Sequence, residues 1–175
     1  MKYLIFPLTK NPAFGRFGPV KMQDWYRTCV RAVSLERQLI TDGNEAEIIV
    51  LADVHYKGYR HETEYYTEAL MALGAKNVRT IKQCYETIGQ IEFVIQLATK
   101  EQSKLIVIST FAHYLRAARL LKGRAVYHHI AFGLPRISEL ATDAILTFLF
   151  PVLDLMGGRE WFKNKVIARR KTGKP

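Results

Sequence analysis

The 175-residue chain has little cysteine and a shortage of acidic residues. Its two cysteines, Cys29 and Cys84, do not make a disulfide framework, and they are not spaced as CxxC or Cys/His zinc ligands. This usage predicts a reducing, cytoplasmic compartment. Only 16 Asp and Glu stand against 26 Lys and Arg, which gives a formal charge of +10. The surplus predicts an anionic partner, such as a nucleotide, a phosphate, a nucleic acid or a membrane surface.

Several sequence signatures are also absent. The chain has no P-loop, no GxGxxG turn and no GxSxG nucleophile elbow, so nothing indicates a P-loop NTPase, and a serine hydrolase is disfavoured. No apolar run has the quality of a transmembrane span, because acids and a proline interrupt the longest stretch, 140–156. The apolar start, residues 2–8, is too short for a signal peptide and is typical of a first strand.

The positive charge is concentrated near the end of the chain. Residues 159–175 hold seven basic residues and one acidic residue, a net charge of +6, which leaves +4 for residues 1–158. We therefore predict one domain over 1–158 and a solvated basic tail over 159–175. The apolar stretch 140–156 is interpreted first as a core helix that covers the sheet. The alternative is a non-enzymatic protein that binds an anionic membrane or RNA through the tail.

Apolar runs and helical periodicities alternate along the chain. Strands are predicted at 2–8, 48–51, 78–81, 105–108 and 125–130, with helices between them, and Pro135 opens a last helical region that Pro151 interrupts. Continuous apolar strands are typical of a sheet covered on both faces. The pattern predicts an α/β fold, a three-layer, Rossmann-like, doubly wound sheet of about five parallel strands with flanking helices.

Ligands of such sheets bind beyond the carboxyl ends of the strands, where the strand order reverses. For an order 3-2-1-4-5 this switch point lies between the first and fourth strands. The turn after the fourth strand carries Ser109, Thr110 and His113, and Arg116 follows one turn into the next helix. Hydroxyls, a helix N-terminus and a guanidinium suit an anion, and a histidine can transfer protons near neutral pH. A purely structural role for these residues remains the alternative.

Three other segments carry weaker signals. Lys10 and Arg16, in a loop with Gly15 and Gly18, are candidates for holding a phosphate. A loop with three carboxylates and two histidines after the second strand matches no known metal spacing, and we assign no metal site. His128 and His129 lie on one strand, so their rings are expected on opposite faces of the sheet, one buried and one exposed.

Residues 109–117, STFAHYLRA, resemble the T-S-x-x-H-x-x-R-A signature of the SanA/YdcF/ElyC-like family of bacterial α/β proteins. Residues 62–64 resemble the start of a helix in that family, with Glu64 on its acidic position. Residues 83–90 resemble a further stretch, with Thr87 retained, although Gln83 and Gln90 replace an acid and an asparagine.

The resemblance, which spans about 48–121, implies a Rossmann-like fold, a link to cell-envelope metabolism and, for some members, binding of S-adenosylmethionine. Carried over by position, it assigns Glu64, Thr87, Ser109 and Thr110 to a ligand pocket with His113 and Arg116. We therefore expect a small anionic ligand, such as a nucleotide, an S-adenosylmethionine-like compound or a phosphorylated compound. If catalysis occurs, we expect phosphoryl or group transfer, or hydrolysis, with His113 as acid/base and Arg116 as its catalytic partner.

Overall fold

The fold was analysed in a computed structural model, which describes residues 1–10, 12, 18–55, 57–84, 86–124 and 127–171. The five strands are β1 (Lys2–Pro7), β2 (Glu45–Leu51), β3 (Val78–Ile81), β4 (Lys104–Thr110) and β5 (Tyr127–Ala131). The helices are α1 (Asp24–Thr41), α2 (Glu62–Ala72), α3 (Thr87–Lys100), α4 (Tyr114–Leu121), α5 (Ile137–Leu155) and α6 (Arg159–Lys171). A short 3₁₀ helix, Val20–Met22, precedes α1.

All five strands are parallel and pair in the order β3-β2-β1-β4-β5. The α/β fold predicted from the alternation of strands and helices is therefore confirmed, and so is the assumed strand order. The order reverses between β1 and β4, which places the switch point at the carboxyl ends of these two strands.

Both faces of the sheet are covered, which explains why its strands are apolar without alternation. Residues of one parity, such as Ile5, Ile48 and Ile106, pack against α1 and α2. Residues of the other parity, such as Phe6 and Val107, pack against α3 and α4. Because both parities are buried, a slip by one residue would move each apolar row of a central strand to the other face, where it would have to pack against different helices.

The end of the chain differs from the prediction. Pro151 lies inside α5 and does not interrupt it, and the break comes at Gly157 and Gly158. Gly157 has a φ of +66°, which suits glycine and ends the helix. Residues 159–171, which were expected to belong to a solvated tail, form α6, and Phe162 packs against the α3/α4 side of the core.

The prediction that 140–156 is a core helix is wrong for most of its length. Leu146 and Leu153 contact the core, whereas Ile145, Phe148, Val152 and other large apolar side chains of the segment are exposed. Within the part of the chain that the structure describes, no helix is long and apolar enough to cross a membrane.

Candidate functional site

A cluster of charged side chains fills the carboxyl ends of β1 and β4. Its members come from five places: the segment after β1, the first residue of α1, the residue before α4, the first turn of α4 and the first two turns of α5. We call it the charge cluster, and it consists of Lys10, Asp24, His113, Arg116, Glu139 and Asp143. It lies at the switch point that the strand order defines.

Lys10 is the cation on the β1 side. Its side chain is almost fully buried, and its ammonium lies 2.5 Å from Asp24 Oδ2 and 2.6 Å from Glu139 Oε2. The backbone N–H of Lys10 donates to the Tyr66 hydroxyl at 3.0 Å, which fixes the segment against α2. Asp24 also accepts from the N–H of Trp25, so its carboxylate serves the start of α1 and the lysine together.

His113 and Arg116 meet the same carboxylate. His113 Nε2 lies 3.0 Å from Asp143 Oδ2, and an Arg116 terminal nitrogen lies 2.9 Å from Asp143 Oδ1. His113 and Arg116 are three residues apart at the start of α4, so both side chains point to one side of the helix. Glu139 and Asp143 are four residues apart on α5 and likewise share one face. Two short helical motifs therefore bring the charges together.

The electrostatic balance at Asp143 is unfavourable to its charge. Burial raises the pKa of Asp143 from its ordinary 3.8 to about 6, although Arg116 and Lys10 lower it; Glu139 and Asp24 add to the rise. The loss of hydration thus outweighs the attraction of the two cations. Asp143 is therefore ionised at pH 7, but its buried position is less favourable for the ionised carboxylate than for the protonated one.

The two hydroxyls that end β4 have protein partners. Thr110 Oγ1 lies 3.1 Å from His113 Nδ1, so both ring nitrogens of His113 have partners. Ser109 Oγ lies 2.8 Å from His128 Nε2, on the face where His128 stacks on Tyr114. Burial lowers the pKa of His128 to about 4, so this imidazole is neutral at pH 7.

His129 lies on the opposite face of the sheet, 3.2 Å from an Arg31 terminal nitrogen. The expected opposite orientation of His128 and His129 is therefore confirmed. The expected difference in burial is wrong, because both are intermediate in exposure.

A chain of buried hydrogen bonds lies beside Lys10. Gln90 Nε2 donates to Thr9 Oγ1 at 2.8 Å, and this hydroxyl donates to the carbonyl of Leu51 at the end of β2. Gln90 Oε1 is buried and has no hydrogen-bond partner among the described residues. Glu86 caps α3 by accepting from the N–H groups of Ile88 and Gly89, so a carboxylate already occupies that helix start.

The remaining candidate residues lie elsewhere. Thr87 is the half-buried first residue of α3, next to the Glu86 cap. Glu64 is half-exposed on α2, 3.4 Å from Arg60, and lines an open depression with Thr80 of β3. Glu64 therefore lies over β3, which β2 separates from β1, and its ion pair is with Arg60 rather than with a member of the charge cluster. Arg16 is outside the described residues, as are Gly15 and Tyr85.

The two histidines of the polar loop after β2 make contacts within the loop and at the start of α2. His61 caps α2 by accepting from the N–H of Thr63, and its Nε2 lies 3.5 Å from Asp53 Oδ1. His55 Nε2 contacts the carbonyl of Tyr59 at 2.7 Å. Over the ranges described, no three His, Cys, Asp or Glu side chains are grouped so as to hold a metal ion.

Sequence reasoning found the basic half of the cluster and missed Asp24, Glu139 and Asp143. Two of these had a usable signal. Glu139 and Asp143 are spaced four apart in or beside an otherwise apolar helix, and a carboxylate on such a helix is seldom buried unless it is paired. That spacing predicts a cationic partner for one helix face, although it does not say which cations supply it.

In comparisons with known proteins, the chain matches no protein-family model and no curated protein.

Proposed function

We propose that this protein binds a small anionic ligand at the charge cluster, with α5 acting as a cover that the ligand displaces. The observation that carries the proposal is that His113 and Arg116 both contact the carboxylate of Asp143. A carboxylate held by a guanidinium and an imidazole occupies the kind of place that a phosphate oxygen takes in phosphate sites. Asp143 would then stand in for the ligand's anionic group.

The cover is weakly held, which supports displacement. The part of α5 that contacts the core is narrow, and most of its large apolar side chains are exposed. The carboxylate of Asp143 is also unfavourably buried, as its raised pKa indicates. A phosphate carries more charge than a carboxylate and has more acceptor oxygens, so it would make stronger charge-assisted hydrogen bonds with Arg116 and Lys10.

The neighbouring hydrogen-bond groups favour a ligand with hydroxyl or amine donors. The buried Gln90 Oε1 next to Thr9 is an acceptor without a partner among the described residues, and a ligand O–H or N–H would satisfy it. A nucleotide or a phosphorylated sugar combines such donors with an anionic group. S-adenosylmethionine, which the resemblance to the SanA/YdcF/ElyC-like family implies, offers ribose hydroxyls and a carboxylate. We propose likewise that the protein is a member of that family, that it acts in cell-envelope metabolism and that it is located in the cytoplasm.

The proposal covers binding and not catalysis, because α5 in its place blocks His113. Both ring nitrogens of His113 have protein partners there, so a substrate would reach Nε2 only after Asp143 withdraws. Acid/base catalysis by His113, assisted by Arg116, therefore remains a prediction that depends on the same displacement.

The test is a thermal-shift screen of the full chain with inorganic phosphate, AMP, ATP, a nucleotide sugar and S-adenosylmethionine. A ligand at 100 times its Kd adds about 2.7 kcal/mol to the free energy of unfolding, a shift of a few degrees for this chain length. We expect a shift that Arg116→Gln abolishes. Arg119→Gln is the matched control, because Arg119 is half-exposed one turn further along α4, 4.0 Å from Asp154. Silence across the panel, or a shift that survives in Arg116→Gln, would overturn the proposal.

Displacement of α5 by the ligand also predicts how Asp143→Asn changes the affinity. The neutral amide avoids the unfavourable burial of the carboxylate and holds α5 more firmly, so binding of the same anion should weaken about tenfold, which is about 1.4 kcal/mol. Titration calorimetry on the folded Asp143→Asn variant and on the natural chain measures the two dissociation constants directly. Tighter binding in Asp143→Asn would mean that the ligand does not have to displace α5.

A further inference from the structure

Helix α5 has its polarity reversed relative to an ordinary surface helix. Its charged residues are Glu139, Asp143 and Asp154, and each lies against a cation of the protein: Glu139 at Lys10, Asp143 at Arg116, and Asp154 4.0 Å from Arg119. The large side chains turned outward are apolar. A surface helix normally does the opposite, so the outer face of α5 is suited to an apolar environment.

The outward face is a continuous stripe along the helix. Its large members recur at helical spacing, and their exposed fractions are high, with 79% for Phe148 and 89% for Leu155. We call this stripe the outer face of α5, and it consists of Ile137, Ile145, Phe148, Val152, Leu155 and Met156. No charged residue of the sequence lies among these positions.

Two exposed aromatic side chains extend the apolar surface at the sheet edge where α5 begins. Phe111 follows β4 and Phe132 follows β5, and their rings stack with centroids 5.9 Å apart. Both are about two-thirds exposed. Stacking against each other leaves their outer faces in solvent, where such rings gain by entering an apolar phase.

A basic segment adjoins this surface. On α6, Trp161 is 62% exposed, and Lys165 lies over its ring at 5.6 Å. The sequence from 159 to 175 carries a net charge of +6. Tryptophan beside lysine is the combination typical of the boundary between lipid headgroups and acyl chains, where the indole has one apolar and one polar side.

Charge decides between the possible occupants. A second copy of the chain would bring another basic segment, on a molecule with a formal charge of +10, against the first. RNA would satisfy the basic segment but would leave the outer face of α5 in water. An anionic bilayer satisfies both, because its headgroups attract the lysines and arginines and its acyl region accepts the apolar stripe.

We propose that the outer face of α5 and helix α6 form a docking surface for an anionic lipid bilayer. Helix α5 lies in the plane of the membrane surface and does not cross it. Phe148 and Leu155 enter the acyl boundary, Trp161 lies at the headgroup level, and Lys165 and Lys171 contact the lipid phosphates.

The test is sedimentation of the full chain with vesicles of phosphatidylcholine alone, or of phosphatidylcholine with 30% phosphatidylglycerol. We expect binding to the anionic vesicles, weakened at least tenfold at high salt, and little binding to the neutral ones. The double variant Phe148→Ser, Leu155→Ser should lose at least tenfold in affinity for the anionic vesicles. Met71→Ser is the matched control, since Met71 is 58% exposed on α2, away from α5.

A second measurement uses the natural chain, so it does not depend on how the serine double variant folds. The chain has two tryptophans; Trp25 is buried and hydrogen-bonded to Gln23, whereas Trp161 is exposed. Vesicles with brominated acyl chains should quench Trp161 fluorescence, and Trp161→Phe should abolish the quenching. Absence of vesicle binding, unchanged binding in the double variant, RNA binding without vesicle binding, or a stable dimer dispersed by the double variant would each overturn the proposal.

Discussion

Asp143→Asn should stabilise the protein, although it removes a charged partner of Arg116 and His113. The folded-state pKa of Asp143 is about 6 against an ordinary value of 3.8, and each pKa unit corresponds to 1.36 kcal/mol. The ionised carboxylate therefore costs the folded state about 3 kcal/mol at pH 7, relative to the neutral acid. An amide avoids this cost but hydrogen-bonds Arg116 less strongly, so we expect a gain of about 1 to 3 kcal/mol.

The pH dependence has a definite sign. Because the pKa of Asp143 is raised on folding, the folded protein binds its proton more tightly than the unfolded chain does. The stabilisation is fully present below about pH 4 and is lost as the pH rises through about 6. The advantage of Asp143→Asn over the natural chain should accordingly be largest above pH 7 and should shrink towards pH 4.

Urea unfolding followed by circular dichroism, at intervals from pH 4.5 to pH 8, measures the difference between the two chains. Asp154→Asn is the matched control on the same helix, since Asp154 is more exposed and lies 4.0 Å from Arg119, and it should change stability by less than about 0.5 kcal/mol. A loss of 1 kcal/mol or more in Asp143→Asn at pH 7 would refute the reasoning. So would a difference that does not change between pH 5 and pH 7.

Two further predictions concern the framework of the site. Glu36 is fully buried and accepts from the backbone N–H groups of Lys76 and Asn77, so Glu36→Ala should cost about 3 kcal/mol or more in urea unfolding, and Glu36→Gln less. A Cβ at Gly133 would lie 2.6 Å from the Asp24 Cα, so Gly133→Ala should cost about 2 kcal/mol or more and lower the melting temperature by several degrees. An unchanged stability in either alanine variant would contradict the corresponding contact.

The strands could be predicted because their physical cause is local. Val78–Ile81 has the predicted bounds, and the run Leu105–Ile108 lies within β4, which extends to Lys104 and Thr110. The strand β4 is covered on both faces, so its apolar run is sufficient to mark it, whereas β3 is an edge strand whose residues are partly exposed. Tyr114–Leu121 also has the predicted bounds, because the following residues, Lys122 and Gly123, adopt a positive φ that ends the helix.

The last helices could not be predicted in the same way. An apolar helix has the same sequence pattern whether its apolar side chains face a core or the outside, and the tertiary packing alone decides between them. The sequence predicts that Pro151 interrupts the last helical region, because a proline removes a backbone donor and crowds the preceding turn. In the structure α5 continues through Pro151, and the packing of Leu146 and Leu153 against the core favours this continuous helix.

The site was partly predictable for a related reason. Thr110, His113 and Arg116 are close in sequence and lie on one turn and one helix face, so their proximity follows from local geometry. The partner carboxylate of Asp143 comes from 27 residues beyond Arg116. Its position depends on how α5 crosses the end of the sheet, which the pattern of residues does not specify.

The central claim is that an anion takes the place of the Asp143 carboxylate at Arg116, and nuclear magnetic resonance of the arginine Nε–Hε groups tests it most directly. Inorganic phosphate and then ATP would be titrated into the ¹⁵N-labelled full chain, with Arg116→Gln used to assign the signal. We expect the Arg116 signal to shift while that of Arg119 stays in place, and we expect Asp143→Asn to reach the same shift only at a higher ligand concentration. A stationary Arg116 signal at ligand concentrations that stabilise the protein would contradict the claim.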